Sequence, residues 1–113
     1  MPTTTRRLAE FSLALKYDDL PHAAIASAKH GMLDLLGVAL IGSSDESACM
    51  MRKAIVRSGD TGVATILGTA DRTEPERAAL VNGLAAHALD YDDTQHNCNT
   101  HMSAPVLSAA LSL

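Results

Sequence analysis

Apolar positions recur at helical spacing along most of this chain. Leu8, Phe11 and Leu15 follow Thr3–Thr5, which can supply an N-cap. A first helix is therefore expected up to about Tyr17, where Asp18 and Asp19 mark a turn. Asp19-Leu20-Pro21 reads as the next helix start, an acid to cap it and a proline in the first turn, where a missing N–H costs nothing. This second helix should run to about Ile41 and stop at Gly42, with Ile25, Ala28 and Met32 on one face. From Leu33 to Ile41 it is apolar almost all round, which predicts burial. Gly31 and Gly37 lower helix propensity and predict close approach of another helix.

Ser43 and Ser44 are the expected caps of a third helix that opens with Asp45 and Glu46 and closes with Arg52, Lys53 and Arg57. That order of charge suits the helix dipole, and Gly59 is a natural stop. Ala48, Met51 and Ile55 form its inner stripe. Val63, Thr65 and Leu67 then alternate with Ala64 and Ile66 in a short extended segment, Gly62 to Thr69. Thr73-Glu74-Pro75-Glu76 has the pattern of a capping box with Thr73 as cap. It predicts a fourth helix from Glu74 to about Leu89, with Ala78, Val81, Ala85 and Ala88 or Leu89 inward. Asn82 and Gly83 are poor helix formers in its middle and need a packing or functional reason. A fifth helix begins near Ala104-Pro105 and is still in progress at Leu113. The fold class is thus all-α: a bundle of about five helices with one short extended segment, residues 1–113 forming the front part of a larger helical domain.

Composition supports this. The only aromatics are Phe11, Tyr17 and Tyr91, so the core must be Ala, Leu, Ile, Val and Met, which suits closely packed helices. A net charge of −4, with no run of more than two adjacent Lys or Arg, excludes a nucleic-acid footprint. Cys49 and Cys98 are too few and too far apart for a disulfide framework, and there is no signal-peptide pattern. The longest apolar run is too short to span a bilayer. These features predict a soluble cytoplasmic protein with no membrane partner.

The chemistry is concentrated between His87 and His101. Asp90, Asp92, Asp93, Thr94, His96 and Cys98 lie between them, flanked by alanine-rich helices. His87 and Asp90, three apart, would share a helix face, either as a satisfied helix-end pair or as site groups. Three carboxylates in four positions repel one another unless a cation, a proton or backbone donors offset them; otherwise the run is a solvated turn. Thr94 can cap a turn or orient a substrate oxygen. His101 precedes the next helix and would face the mouth of the helical core, where an imidazole can move protons near neutral pH. His96 and Cys98 read as surface loop. No pair has His-x-x-x-His or Cys-x-x-Cys spacing, so metal is a minor reading, through His87, Asp90 and His101.

The run Asn82-Gly83…His87-Ala88-Leu89-Asp90-Tyr91-Asp92-Asp93-Thr94, then His101 and Ser103-Ala104-Pro105-Val106-Leu107, resembles the MmgE/PrpD family. Leu8-Ala9-Glu10-Phe11, Leu20-Pro21, Leu33-Asp34-Leu35-Leu36-Gly37 and Ala64-Thr65-Ile66-Leu67-Gly68 extend the resemblance over essentially the whole chain. It departs at Met102, where the family usually has proline.

The resemblance implies a homodimeric lyase with a large helical domain and a smaller lid, using no metal or other cofactor. Carried over by position, Asp90, Thr94 and His101 are its catalytic candidates, and His87 and Asp93 are candidates for binding substrate. The implied chemistry is dehydration of a tricarboxylic acid of the 2-methylcitrate type, with cis-aconitate decarboxylation or isomerisation as alternatives. No Lys or Arg follows Arg77, so cations for the substrate carboxylates, and the family's later histidine and lysine, must lie elsewhere. A non-catalytic helical module that associates with itself or a partner is the reading from another class.

Overall fold

The computed structural model describes residues 2–57, 59–97 and 99–113. Among them are five α-helices: α1 (Thr4–Ala14), α2 (His22–Gly42), α3 (Glu46–Ile55), α4 (Pro75–His87) and α5 (Ser103–Ser112). Two strands of two residues each, β1 (Ala64–Thr65) and β2 (Arg72–Thr73), pair antiparallel between α3 and α4. The chain is mostly helical, as its pattern predicts.

The helix α4 is the axis of the fold. It packs against α5 along most of its length, against α2 on a second side and against α3 on a third. Small residues permit this. Ala78, Ala85 and Ala86 are buried, with Val81 between them, and these side chains let neighbouring backbones come close. One cluster joins Leu35 and Ala39 of α2 to Ala86 and Ala104, with Val38, Leu67 and Leu107 around it. A second joins Ala64 and Ile66 to Ala78 and Val81, with Met51, Ile55 and Val56 packed against it. Asn82 of α4, expected to need a reason, is buried against the chain that runs from β1 to Leu67. Its Oδ1 accepts from Leu67 N–H at 2.9 Å and its Nδ2 donates to Thr65 C=O at 2.9 Å. It replaces the strand partner that this short sheet lacks.

Several local expectations are corrected. Ser43 and Ser44 do not cap α3: their hydroxyls donate back to Leu40 and Ile41 C=O and close α2. Asp45 caps α3 instead, its Oδ1 accepting from Ser47 Oγ and from Ser47 N–H at 2.8 Å, and these bonds hold its carboxyl below the usual range. Arg57 lies beyond the end of that helix. Thr73 does not cap α4, because it is taken into β2. There its hydroxyl is buried and donates to Asp60, which also pairs with Arg77. Asp19 accepts from Lys16 N–H in a short 3-10 turn, leaving Pro21 at the N-cap of α2.

The predicted burial of Leu33–Ile41 holds on one side only. Leu35 and Ala39 are buried, but Leu33, Leu40 and Ile41 are 71%, 53% and 60% exposed, because α4 and α5 cover a single face of α2. Gly31 does lie beside α5, near Ser103 and Leu107, whereas a Cβ on Gly37 would meet nothing within 4 Å. The tight crossing is at Gly42, where a Cβ would fall 2.0 Å from Ala85 O. By length and composition α2 could cross a membrane; Lys29 and Asp34 stand within it. No residue of α1 is buried.

Candidate active site

Helix α4 ends at His87, sooner than the predicted Leu89, and the chain turns sharply. Asp90 N–H donates to His87 C=O, and Asp90 takes a left-handed conformation with φ +54°. This conformation is uncommon for a non-glycine residue, and aspartate is among those that tolerate it. The turn reverses the chain so that Asp92 points back under the end of α4. A loop from Asp93 to Met102 then leads to α5, closed by a bridge between Gln95 and Thr100.

The three carboxylates have three different surroundings. Asp92 is fully buried at its side chain, and both of its oxygens face His87 Nδ1, at 2.9 and 3.1 Å. Asp93 binds the start of α5, Oδ1 accepting from Ser103 N–H and Oδ2 from Ser103 Oγ at 2.7 Å. Asp90 is 80% exposed at its side chain, with Oδ1 3.7 Å from His101 Nε2. The expected pairing of His87 with Asp90 is therefore corrected. The chain has left the helix by the time Asp90 is reached, so the three-residue spacing no longer places the two on one face.

His101 completes the group. Its Nδ1 lies 3.3 Å from Asp92 Oδ1, and the two imidazole rings meet edge to face with centroids 4.8 Å apart. The hydrogen bond that His87 donates to Asp92, more than the charge of Asp92, raises the pKa of His87, so this imidazole stays protonated to higher pH than usual. Beside the two rings, α4 and α5 form a largely apolar groove of about 660 Å³ lined by Leu80, Gly83, Leu84, Ala104 and Pro105. A larger cavity, about 860 Å³, lies at the far end of α4 between α3 and the β1–β2 hairpin. Its Arg52 is tied to Asp71 and its Arg72 to Val63 C=O, and its lining has no histidine.

Of the predicted site residues, the structure brings together His87, Asp90 and His101. Asp93 is a helix cap. Thr94 is exposed on the loop, as is His96, and Cys98 lies outside the described residues. Asp92, which none of the site assignments included, is the residue around which the others are arranged. Its signal in the sequence is the acidic run itself, three carboxylates that repel one another unless something nearby offsets them. His87, Asp90, Asp92 and His101 each present one atom within a 4.8 Å group, dimensions that could also hold a metal ion.

Residues 6–113 match the MmgE/PrpD N-terminal domain. The chain belongs to the MmgE/PrpD family. Cis-aconitate decarboxylase of Mus musculus is 34% identical to it over 115 residues, covering all of this chain and 23% of that protein. The Homo sapiens cis-aconitate decarboxylase is 32% identical, again over all of this chain and 24% of the relative. The cis-aconitate decarboxylase-like protein oryM of Aspergillus oryzae is 31% identical over 96% of this chain and 21% of its own length. This MmgE/PrpD chain thus spans about a quarter of the length of the curated relatives it matches. No solved structure matches it.

Proposed function

We propose that this MmgE/PrpD chain carries the acid–base part of a lyase site for a citrate-like tricarboxylic acid. Decarboxylation of cis-aconitate is the reaction to test first, and dehydration of 2-methylcitrate the second. The observation that carries the reading is the cluster of His87, Asp90 and His101 at the open ends of α4 and α5, beside an apolar groove. The names of the similar proteins favour decarboxylation over dehydration.

Both reactions ask the same thing of the protein. When CO₂ leaves a β,γ-unsaturated acid, the electron pair of the broken C–C bond shifts along the double bond. A proton must then reach carbon. Dehydration removes a proton beside a carboxylate and gives one to the departing hydroxyl. An imidazole next to a carboxylate can fill either role, typically worth about 10²–10⁴-fold in rate. His101 is the proton-transfer group, Asp90 sits beside its Nε2, and Thr94 is a hydroxyl donor from the loop.

The substrate carboxylates need cations, and neither the 88–102 loop nor α5 has a Lys or Arg. Those cations come from outside this segment, in the rest of a protein of family length or in a second copy. The direct test is to incubate the protein at its natural length with cis-aconitate and with 2-methylcitrate and follow both by proton NMR. The expected result is loss of CO₂ from cis-aconitate. Turnover of neither acid would contradict the reading. Activity should survive exhaustive chelation; its loss, with recovery on adding a divalent cation, would assign the four-residue group to a metal instead.

A further inference from the structure

We propose that Asp92 is the positioning residue of this site. Its buried carboxylate keeps both His87 and His101 with Nδ1–H turned inward, so that Nε2 of His101 faces the mouth as the proton acceptor. The role of that Nε2 in turnover rests on the lyase reading; the holding of the rings does not.

The argument starts from burial. A carboxylate with no exposed side-chain surface must be paired or hydrogen-bonded, and Asp92 has His87 Nδ1 against both oxygens. His101 Nδ1 is also buried, has no aligned hydrogen bond, and its neighbour at 3.3 Å is the same Oδ1. Were that nitrogen unprotonated, its lone pair would face a carboxylate oxygen. With a hydrogen on Nδ1 the contact becomes attractive, and a small ring rotation aligns it. Two imidazoles thus converge on one oxygen. The nitrogen that carries the hydrogen is set by the partner of the other nitrogen. Asp90 Oδ1, 3.7 Å from His101 Nε2, is solvent-exposed and beyond hydrogen-bond distance, so the nearer, buried Asp92 sets it for both rings. Asp93, its neighbour in sequence, is held by Ser103 at the start of α5 and anchors the far side of the turn. The left-handed turn at Asp90 is what brings Asp92 beneath the rings.

The test is nitrogen NMR of the imidazoles in the natural-length protein, at a pH where both are neutral. In the wild type both His87 and His101 should carry their hydrogen on Nδ1. Asp92→Asn should shift His101 toward the Nε2–H form and lower kcat on cis-aconitate at least about a hundredfold, with KM changed less than about threefold. A wild-type spectrum showing His101 with its hydrogen on Nε2 overturns the proposal, as does an Asp92→Asn spectrum with both rings unchanged. The wild-type spectrum decides the matter even if the variant does not fold. If the wild type turns over no tricarboxylate, the lyase reading fails, while the hydrogen positions still test Asp92.

Discussion

Within one turn of chain, three carboxylates in four positions acquire three roles through burial and direction alone. Asp92 is enclosed beneath two imidazoles, Asp93 caps α5, and Asp90 remains open to solvent beside His101. The pairing of His87 with Asp92 has a pH signature. Because the folded pKa of His87 lies above its ordinary 6.5, the pair contributes stability that is fully present below the unfolded value. It is lost as pH rises through the folded value. Wild type should therefore exceed His87→Gln in melting temperature by more at pH 5.5 than at pH 9, and an equal difference at both would contradict the pairing. The window of chemistry was legible in the sequence, since no other stretch gathers so many titratable groups. The partners within it were not. Spacing rules for helix faces hold only while the helix continues, and this one ends at His87, so Asp90 turned outward and Asp92 inward.

The elements themselves were read from periodicity, and the helices fall where apolar positions recur. Their caps were harder, because several short polar residues compete at each boundary. Ser43 and Ser44 stand two and one positions too early and bond back into α2, while Asp45 reaches Ser47 N–H. Thr73 has the pattern of a capping box but is drawn into the β2 pairing, where Asp60 takes its hydroxyl. Glycine spacing named Gly37 as a point of close approach, yet the contact is made at Gly42. That contrast is testable. Gly37→Ala should stabilise the fold by about 0.5–1 kcal/mol, since it gains helix propensity and meets no neighbour. Gly42→Ala should instead destabilise by about 1–3 kcal/mol, because Ala85 O is backbone and cannot move aside cheaply. Urea denaturation of the two variants reads both signs. Asn82→Ala should cost about 1–3 kcal/mol by leaving Leu67 N–H and Thr65 C=O without their partner. A neutral substitution would mean that water replaces the amide readily.

At the scale of the whole molecule, one feature stands apart from the packed α2–α4–α5 centre. Leu8, Phe11 and Leu13 of α1 and Leu33, Leu40 and Ile41 of α2 are all more than half exposed. Large apolar side chains left this exposed ordinarily mark association. We expect the 113-residue chain on its own to self-associate, with sedimentation coefficients that rise with concentration. A strictly monomeric chain at high concentration would count against that.

The most direct measurement on the site is steady-state turnover of cis-aconitate by the natural-length protein and its Asp90→Asn and His101→Ala variants. Both variants should lose at least about a hundredfold in kcat, the usual effect of removing a proton-transfer group, while retaining the wild-type melting profile. Near-normal rates in both would show that the cluster at the ends of α4 and α5 does not perform the chemistry.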